Sequence, residues 1–304
     1  MRRPDVLVLG GGGLLGEAWL RSVLAGLEAE TAWDLRECKA FVGTSAGSIV
    51  AAVLAAGRRP EAAKGVAEGW ERGAAAEAPD ATAAFWDRFV RLPAAPALSV
   101  AAPVVAAGLE PAGAALRAAV LRRGRRATRE IPRLRRALEQ LGGEFDGRLR
   151  VAAVELRSGR RVVFGAPGAP AARVTEAVLA SCAVPWVFRP VTIDGREYVD
   201  GGAWSAANLD AAPVRKGTSV LCLNPTASPR LSVDRFGAVR AFASASAATE
   251  ALVLRGRGAR VRIVAPDGAA VDAIGPNLFD ARRRAAVEAA GYAQGRALGL
   301  RASA

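Results

Sequence analysis

The chain has 304 residues, a formal charge of +13 and no histidine, with 42 Lys and Arg against 29 Asp and Glu. Without imidazole there is no histidine-containing zinc site and no Ser-His-Asp triad, and Cys38, Cys182 and Cys222 stand too far apart for a Cys-x-x-Cys metal or redox site. Apolar residues make up 51% of the chain, enough for a buried core, and such sparse thiols fit reduced core fillers of a cytoplasmic protein that needs no metal or cofactor.

Residues 6–9 are an apolar run, broken off from the starting arginines at Asp5 and lacking a small-residue cleavage site, so they read as a first strand and not as a signal peptide. The run opens into Gly10-Gly11-Gly12-Gly13, and residues 17–29 follow as an amphipathic helix with Trp19, Leu20, Val23, Leu24 and Leu27 on its apolar side. A second strand at 39–42 leads through Gly43-Thr44-Ser45-Ala46-Gly47 into a small-residue helix at 48–56, closed by Gly57. Two strand, glycine turn, helix units in succession predict an α/β fold with a parallel central sheet and ligands beyond the carboxyl ends of its strands.

From 59 to about 143 the sequence turns Ala-, Pro- and Arg-rich, with helical patches at 62–72, 85–91, 112–123 and 132–141 and no strand. This predicts an all-helical cap inserted over the site, in which Phe85, Trp86, Phe89 and Val90 serve either as apolar lining or as ordinary packing. The longest uncharged run, 92–109, has the length of a membrane span, but Pro93, Pro96 and Pro103 inside it argue against a transmembrane helix. Arg117, Arg122, Arg123, Arg125, Arg126, Arg129, Arg133, Arg135 and Arg136 crowd one stretch, opposed only by Glu130. They read as a solvated helical face or as a patch that draws the protein peripherally to anionic membrane. No aromatic residues interleave them, which argues against nucleic acid. Strands resume at 149–156 and 161–164, a helix follows at 174–180, and Ile193-Asp194-Gly195 reads as a hairpin turn before Asp200 at a strand end. Further strands at 219–223 and 261–264 and a terminal helix at 280–298 complete the chain.

Gly43 to Gly47 is a G-x-S-x-G pattern, the signature of a nucleophile elbow, placed between an apolar strand and a helix. Gly43 and Gly47 allow the close approach such a turn needs, Thr44 and Ala46 are suitably small, and the helix start directs its amides toward Ser45. With no imidazole to activate it, a nucleophilic Ser45 requires a carboxylate, an amine or a tyrosinate as base. Asp200, between an apolar approach and the turn of Gly201 and Gly202, is the strongest candidate, although an isolated Asp-Gly is by itself only a turn signal. The glycine run admits two readings. Gly11, Gly13 and Gly16 satisfy the G-x-G-x-x-G of a dinucleotide loop, but the second strand then ends in no acidic residue to hold a ribose. Alternatively, the backbone N–H groups of Gly11, Gly12 and Gly13 form an oxyanion hole at a helix start.

Taken together, the glycine run 10–16, Gly-Thr-Ser-Ala-Gly at 43–47, Ala-Ser-Cys-Ala-Val-Pro-Trp-Val-Phe at 180–188 and Asp-Gly-Gly at 200–202 resemble the patatin-like phospholipase family, in that family's order. The resemblance implies a three-layer α/β/α sandwich with a mostly parallel sheet and a helical insertion, formed by residues 1–304 as one domain. It also implies a Ser45–Asp200 dyad that hydrolyses carboxylic esters of phospholipids, lysophospholipids or related lipids without a metal. In one respect the chain departs from the family: Leu15 stands where a basic residue usually precedes the last glycine of the loop. That departure keeps open a catalytically silent, lipid-binding member of the family.

Overall fold

The computed structural model describes residues 2–74, 110–123, 127–227 and 235–303. The helix predicted at 85–91 with its apolar lining, the uncharged run 92–109, and Arg125 and Arg126 lie outside them.

Strand β1 (Val6–Leu9) is entirely apolar and buried, and it pairs in parallel with β2 (Ala40–Thr44) on one side and β7 (Ser219–Leu223) on the other. Beyond them lie β3 (Leu149–Glu155), parallel to β2, and β8 (Arg260–Val264), parallel to β7. An antiparallel wing of β4 (Arg161–Phe164), β5 (Val191–Ile193) and β6 (Arg196–Asp200) completes the eight-stranded sheet. The two-residue turn between β5 and β6 has Asp194 at φ 48° and Gly195 at φ 69°, the left-handed pair that lets a hairpin follow the twist of its strands.

Period-two alternation sorts the strand residues into two cores. Leu7, Leu9, Phe41, Val151, Leu221 and Leu223 face one side of the sheet, under α1 (Gly13–Glu30), α2 (Ala46–Ala55) and α6 (Val174–Ser181). Val6, Val8, Val42, Val220 and Cys222 face the other, against Ala247, Ala251 and Leu254 of α7 (Arg235–Gly256). Helices therefore cover both faces, giving the three layers expected of a sheet with continuous apolar strands. Of the region 59–143, the described residues form α3 (Ala63–Ala74), α4 (Glu110–Arg123) and α5 (Pro132–Leu141), all helical as expected.

Three helices differ from expectation. Helix α1 begins at Gly13, inside the glycine run, and is buried all along residues 13–27 instead of presenting a solvated side. The cause is α9 (Arg284–Ser303), which lies directly on it. Gly291, Gly295 and Gly299 recur at every fourth residue and so share one side of α9. A Cβ on Gly295 would stand 2.2 Å from the Val23 carbonyl oxygen, and one on Gly26 would stand 2.3 Å from that of Tyr292. The two backbones touch through glycine, and Trp19 Nε1 donates to Gln294 Oε1 across the contact at 2.8 Å. Beside it the fully buried Glu17 pairs with Arg21 at 3.1 Å and Arg284 at 3.2 Å, so each buried charge has its opposite. Helix α7 and the short α8 (Gly268–Ile274) were not anticipated from the sequence, and α7, rich in Ala and Ser, carries no clear apolar stripe to announce it.

Close backbone contact predicts opposite outcomes for one substitution at two helical glycines. Gly295→Ala should destabilise the fold by about 1–3 kcal/mol, because an overpacked contact must open. Gly256→Ala, with no heavy atom within 4 Å of the new Cβ, should be neutral or stabilising. Urea unfolding of both variants measures this, and equal effects would contradict the packing account.

Candidate active site

Strand β3 determines where the site lies. Val151 pairs with Gly43 of β2 and Phe164 of β4, so those strands occupy opposite edges; Ala153 pairs with Asp200 of β6 and Val162 of β4. Since β4 holds one edge throughout, β2 and β6 must share the other. They run toward each other along it, Thr44 opposite Ala152 and Asp200 opposite Ala153, and their carboxyl ends meet there. Residues 45 and 200 thus become neighbours although 155 positions separate them in the sequence.

Ser45 occupies the turn from β2 into α2 at φ 50°, ψ −123°, a left-handed backbone region disfavoured for any side chain. Gly43 and Gly47 make that turn possible. A Cβ on Gly43 would come 2.4 Å from Ser48 Cα, and one on Gly47 would come 2.0 Å from the Leu9 carbonyl oxygen. The Ser45 N–H donates to Ser181 Oγ at 2.8 Å, and the Ser181 hydroxyl donates to the Ala152 carbonyl at 2.7 Å, bridging the strand-end gap. Ala46 begins α2, so the positive end of that helix lies at the serine.

Asp200 is 5% exposed and Ser45 6%. The Asp200 carboxyl accepts the Gly202 N–H at 2.7 Å and lies close enough to the Ser45 hydroxyl for that group to favour its ionised form, while its own N–H donates to the Ala183 carbonyl at 3.0 Å. Burial pushes its pKa up to about 7 against the lowering effect of the Ser45 hydroxyl and the Gly202 N–H, so desolvation wins. Gly201 packs on the same gap, where a Cβ would stand 2.4 Å from the Ala152 carbonyl oxygen.

The glycine run lies against the serine, since a Cβ on Gly11 would be 3.3 Å from Ser45 Cβ. Gly11 must nevertheless be withdrawn as an oxyanion donor, because its N–H is committed to the Ala206 carbonyl at 2.8 Å. Gly12 caps α1 and Gly13 opens it at φ 61°, at the helix end where N–H groups lack intrahelical partners. Pro225 and Phe279 pack over these two positions, 2.6 Å and 2.8 Å from where Cβ atoms would be. Leu15 is fully buried, with its N–H bonded to the Leu278 carbonyl at 2.9 Å, so this position belongs to the core. Strand β2 ends in Thr44, leaving no acid where a dinucleotide loop needs one.

The arginine stretch is corrected at Arg117, which is 1% exposed, stacks 4.2 Å from the Trp204 ring centroid and donates to the Gly159 carbonyl at 2.6 Å. It belongs to the interior. Arg133, Arg135 and Arg136 are exposed on α5, and Glu130 pairs with Arg189 at 3.1 Å. Among the described residues no helix is long and apolar enough to cross a membrane.

Sequence reasoning passed over Ser181, Asn208 and Glu250. Ser181 stood inside a quoted block but looked like one more small residue; Asn208 and Glu250 carry no local pattern at all, because their importance comes from partners far along the chain.

Residues 7–213, more than half of the chain, match the family model for patatin-like phospholipase. The chain belongs to the patatin-like phospholipase family. Its fold is similar to that in the crystal structure of VipD from Legionella pneumophila, with a TM-score of 0.50 and 16% identity over 99% of this chain and 67% of that one. At that identity the likeness concerns the fold alone. No curated protein sequence matches the chain. Membership supports the α/β/α architecture and assigns the chain to a family of lipid acyl hydrolases.

The displaced titration of Asp200 has a consequence for stability. An unfolded Asp loses its proton near pH 4 and the folded one near 7, so the folded state's advantage is complete below about 4 and is lost as pH rises through about 7. Asparagine carries no such dependence. Asp200→Asn should therefore raise the melting temperature relative to the unsubstituted protein at pH 8, and the gain should shrink toward pH 4. A difference that stays constant across this range would contradict the burial of a titrating carboxyl.

Proposed function

We propose that the protein is a serine lipid acyl hydrolase in which Ser45 is the nucleophile and Asp200 the general base. The observation that carries this reading is the meeting of two strand ends that sets the Ser45 hydroxyl beside a buried carboxyl whose proton affinity lies near neutrality. A base poised close to the working pH combines a useful ionised fraction with enough basicity to take a hydroxyl proton, which an ordinary aspartate at about 4 does not.

In this mechanism ionised Asp200 accepts the Ser45 proton as Oγ bonds to the acyl carbonyl carbon. The carbonyl electrons move onto oxygen, and we assign the N–H groups of Gly12 and Gly13 to that oxyanion. Collapse of the tetrahedral adduct breaks the ester C–O bond, and protonated Asp200 returns its proton to the departing alcohol. A water molecule, deprotonated by Asp200, then attacks the acyl-Ser45 ester; the C–Oγ bond breaks, Asp200 returns the proton to Ser45 Oγ, and the carboxylic acid leaves. Family membership supports a lipid acyl ester as substrate, and we read residues 1–304 as one such unit because α9 closes on α1. The lack of a basic residue at position 15 leaves one competing reading, a lipid-binding member that does not turn over.

One experiment separates the two. Ser45 should react with a fluorophosphonate probe, and p-nitrophenyl esters should be hydrolysed with an acidic limb in kcat/KM near pH 7. Ser45→Ala and Asp200→Asn should each lower kcat at least about a thousandfold, since members of a catalytic unit fail together. An unreactive Ser45 would leave the silent reading, and an active Asp200→Asn would assign the base elsewhere.

A further inference from the structure

Outside the proposed dyad, a buried polar cluster lies beneath the turn that follows Asp200. Its centre is Asn208, fully buried with a left-handed backbone at φ 49°, ψ 40°. Its Nδ2 donates to Thr44 Oγ1 at 3.0 Å, to the Ser205 carbonyl at 2.7 Å and, more weakly, to the Gly201 carbonyl at 3.3 Å. Thr44 immediately precedes Ser45, and Gly201 immediately follows Asp200. One side-chain amide therefore touches the last residue before the nucleophile and the first residue after the base.

The amide is itself held from several directions. Arg161 donates to Asn208 Oδ1 at 3.2 Å while gripping Asp210 with both terminal nitrogens, at 2.5 Å and 2.7 Å. The Asn208 N–H donates to Ser205 Oγ at 3.1 Å. The buried Glu250 of α7 accepts the Leu209 N–H at 2.7 Å and a hydrogen bond from Ser246 at 3.3 Å. Thr44 adds a return bond to the Ala207 carbonyl at 3.4 Å. A hydrogen-bonded amide inside the protein interior is costly to leave unpaired, so this arrangement resists sliding of either strand end.

We propose that Asn208 is a positioning residue that holds the Ser45 and Asp200 turns in register where their strands meet. The proposal rests on the Ser45–Asp200 reading and adds to it. No sheet hydrogen bond joins β2 to β6, because they meet end to end; the register between them is transmitted through β3, Ser181 and this amide. Without the amide, the Ser45 hydroxyl should reach the Asp200 carboxyl less often, and its support of the ionised carboxylate should weaken.

The test compares Asn208→Gly, which deletes the amide while suiting the left-handed backbone, with Asp210→Asn, which breaks the Arg161 pair in the same turn but spares the Asn208 donors. Asn208→Gly should lower kcat at least about tenfold with little change in KM, and should move the acidic limb of kcat/KM upward. Asp210→Asn should lower the melting temperature without moving the limb. If Asn208→Gly does not fold, Thr44→Val removes the acceptor on the serine side, together with the weaker bond to the Ala207 carbonyl, and should shift the limb in the same direction. The proposal is overturned if kcat and the limb stay unchanged in the folded Asn208 variant (or, failing that, in Thr44→Val), or if Asp210→Asn moves the limb equally. An active Ser45→Ala would instead overturn the dyad reading beneath it.

Discussion

The meeting of two strands on one edge of β3 is the constraint from which the rest of the site follows. An ordinary sheet edge is occupied by one neighbour along its length, but here β2 ends opposite Ala152 and β6 ends opposite Ala153. Both chains must leave the edge at that point, and each does so in a tight turn. The Ser45 turn needs Gly43 and Gly47 because the backbones of α2 and β1 press on it, and the Asp200 turn needs Gly201 because it sits on the Ala152 carbonyl. Polar groups exposed by the gap are satisfied by Ser181 on one side and Asn208 on the other. Glycine spacing, serine strain and carboxylate burial are thus consequences of a single junction.

Burial also sets the chemistry. Among the described residues, Asp200 and Glu250 are pushed up to about 7, in each case chiefly by desolvation. Only Asp200 faces the Ser45 hydroxyl. Glu250 faces the Leu209 amide, Ser205 and Ser246, with Asp210 and Arg161 nearby, so its proton affinity belongs to the support beneath the turn. The same desolvation that makes Asp200 a stronger base also makes its ionised form a liability to the fold, an exchange of stability for reactivity common at functional sites.

Much of this was legible because it is written locally. The apolar strand runs at 6–9, 149–156 and 219–223 and the elbow at 43–47 are short-range patterns, and so is the hairpin turn at Asp194. The missing histidines narrowed the choice of base without any structure. What the sequence did not reveal depends on distant partners. Nothing near residue 11 announces that its amide is bonded to Ala206, and nothing near residue 117 distinguishes an arginine stacked on Trp204 from its solvated neighbours. Nothing in the terminal helix announces that its glycines lie against α1, and Asn208 has no meaning until the strands on either side of it meet.

The most direct measurement of the junction is an infrared titration of the protonated carboxyl band, with Asp200 assigned by subtracting the Asp200→Asn spectrum so that Glu250 cancels. The account predicts a carboxyl that titrates near 7 and moves upward in Ser45→Ala, because the nearby serine hydroxyl favours the ionised form. A carboxyl that titrates near 4, or one that Ser45→Ala leaves unmoved, would contradict the claim that the two strand ends bring a buried aspartate onto the serine.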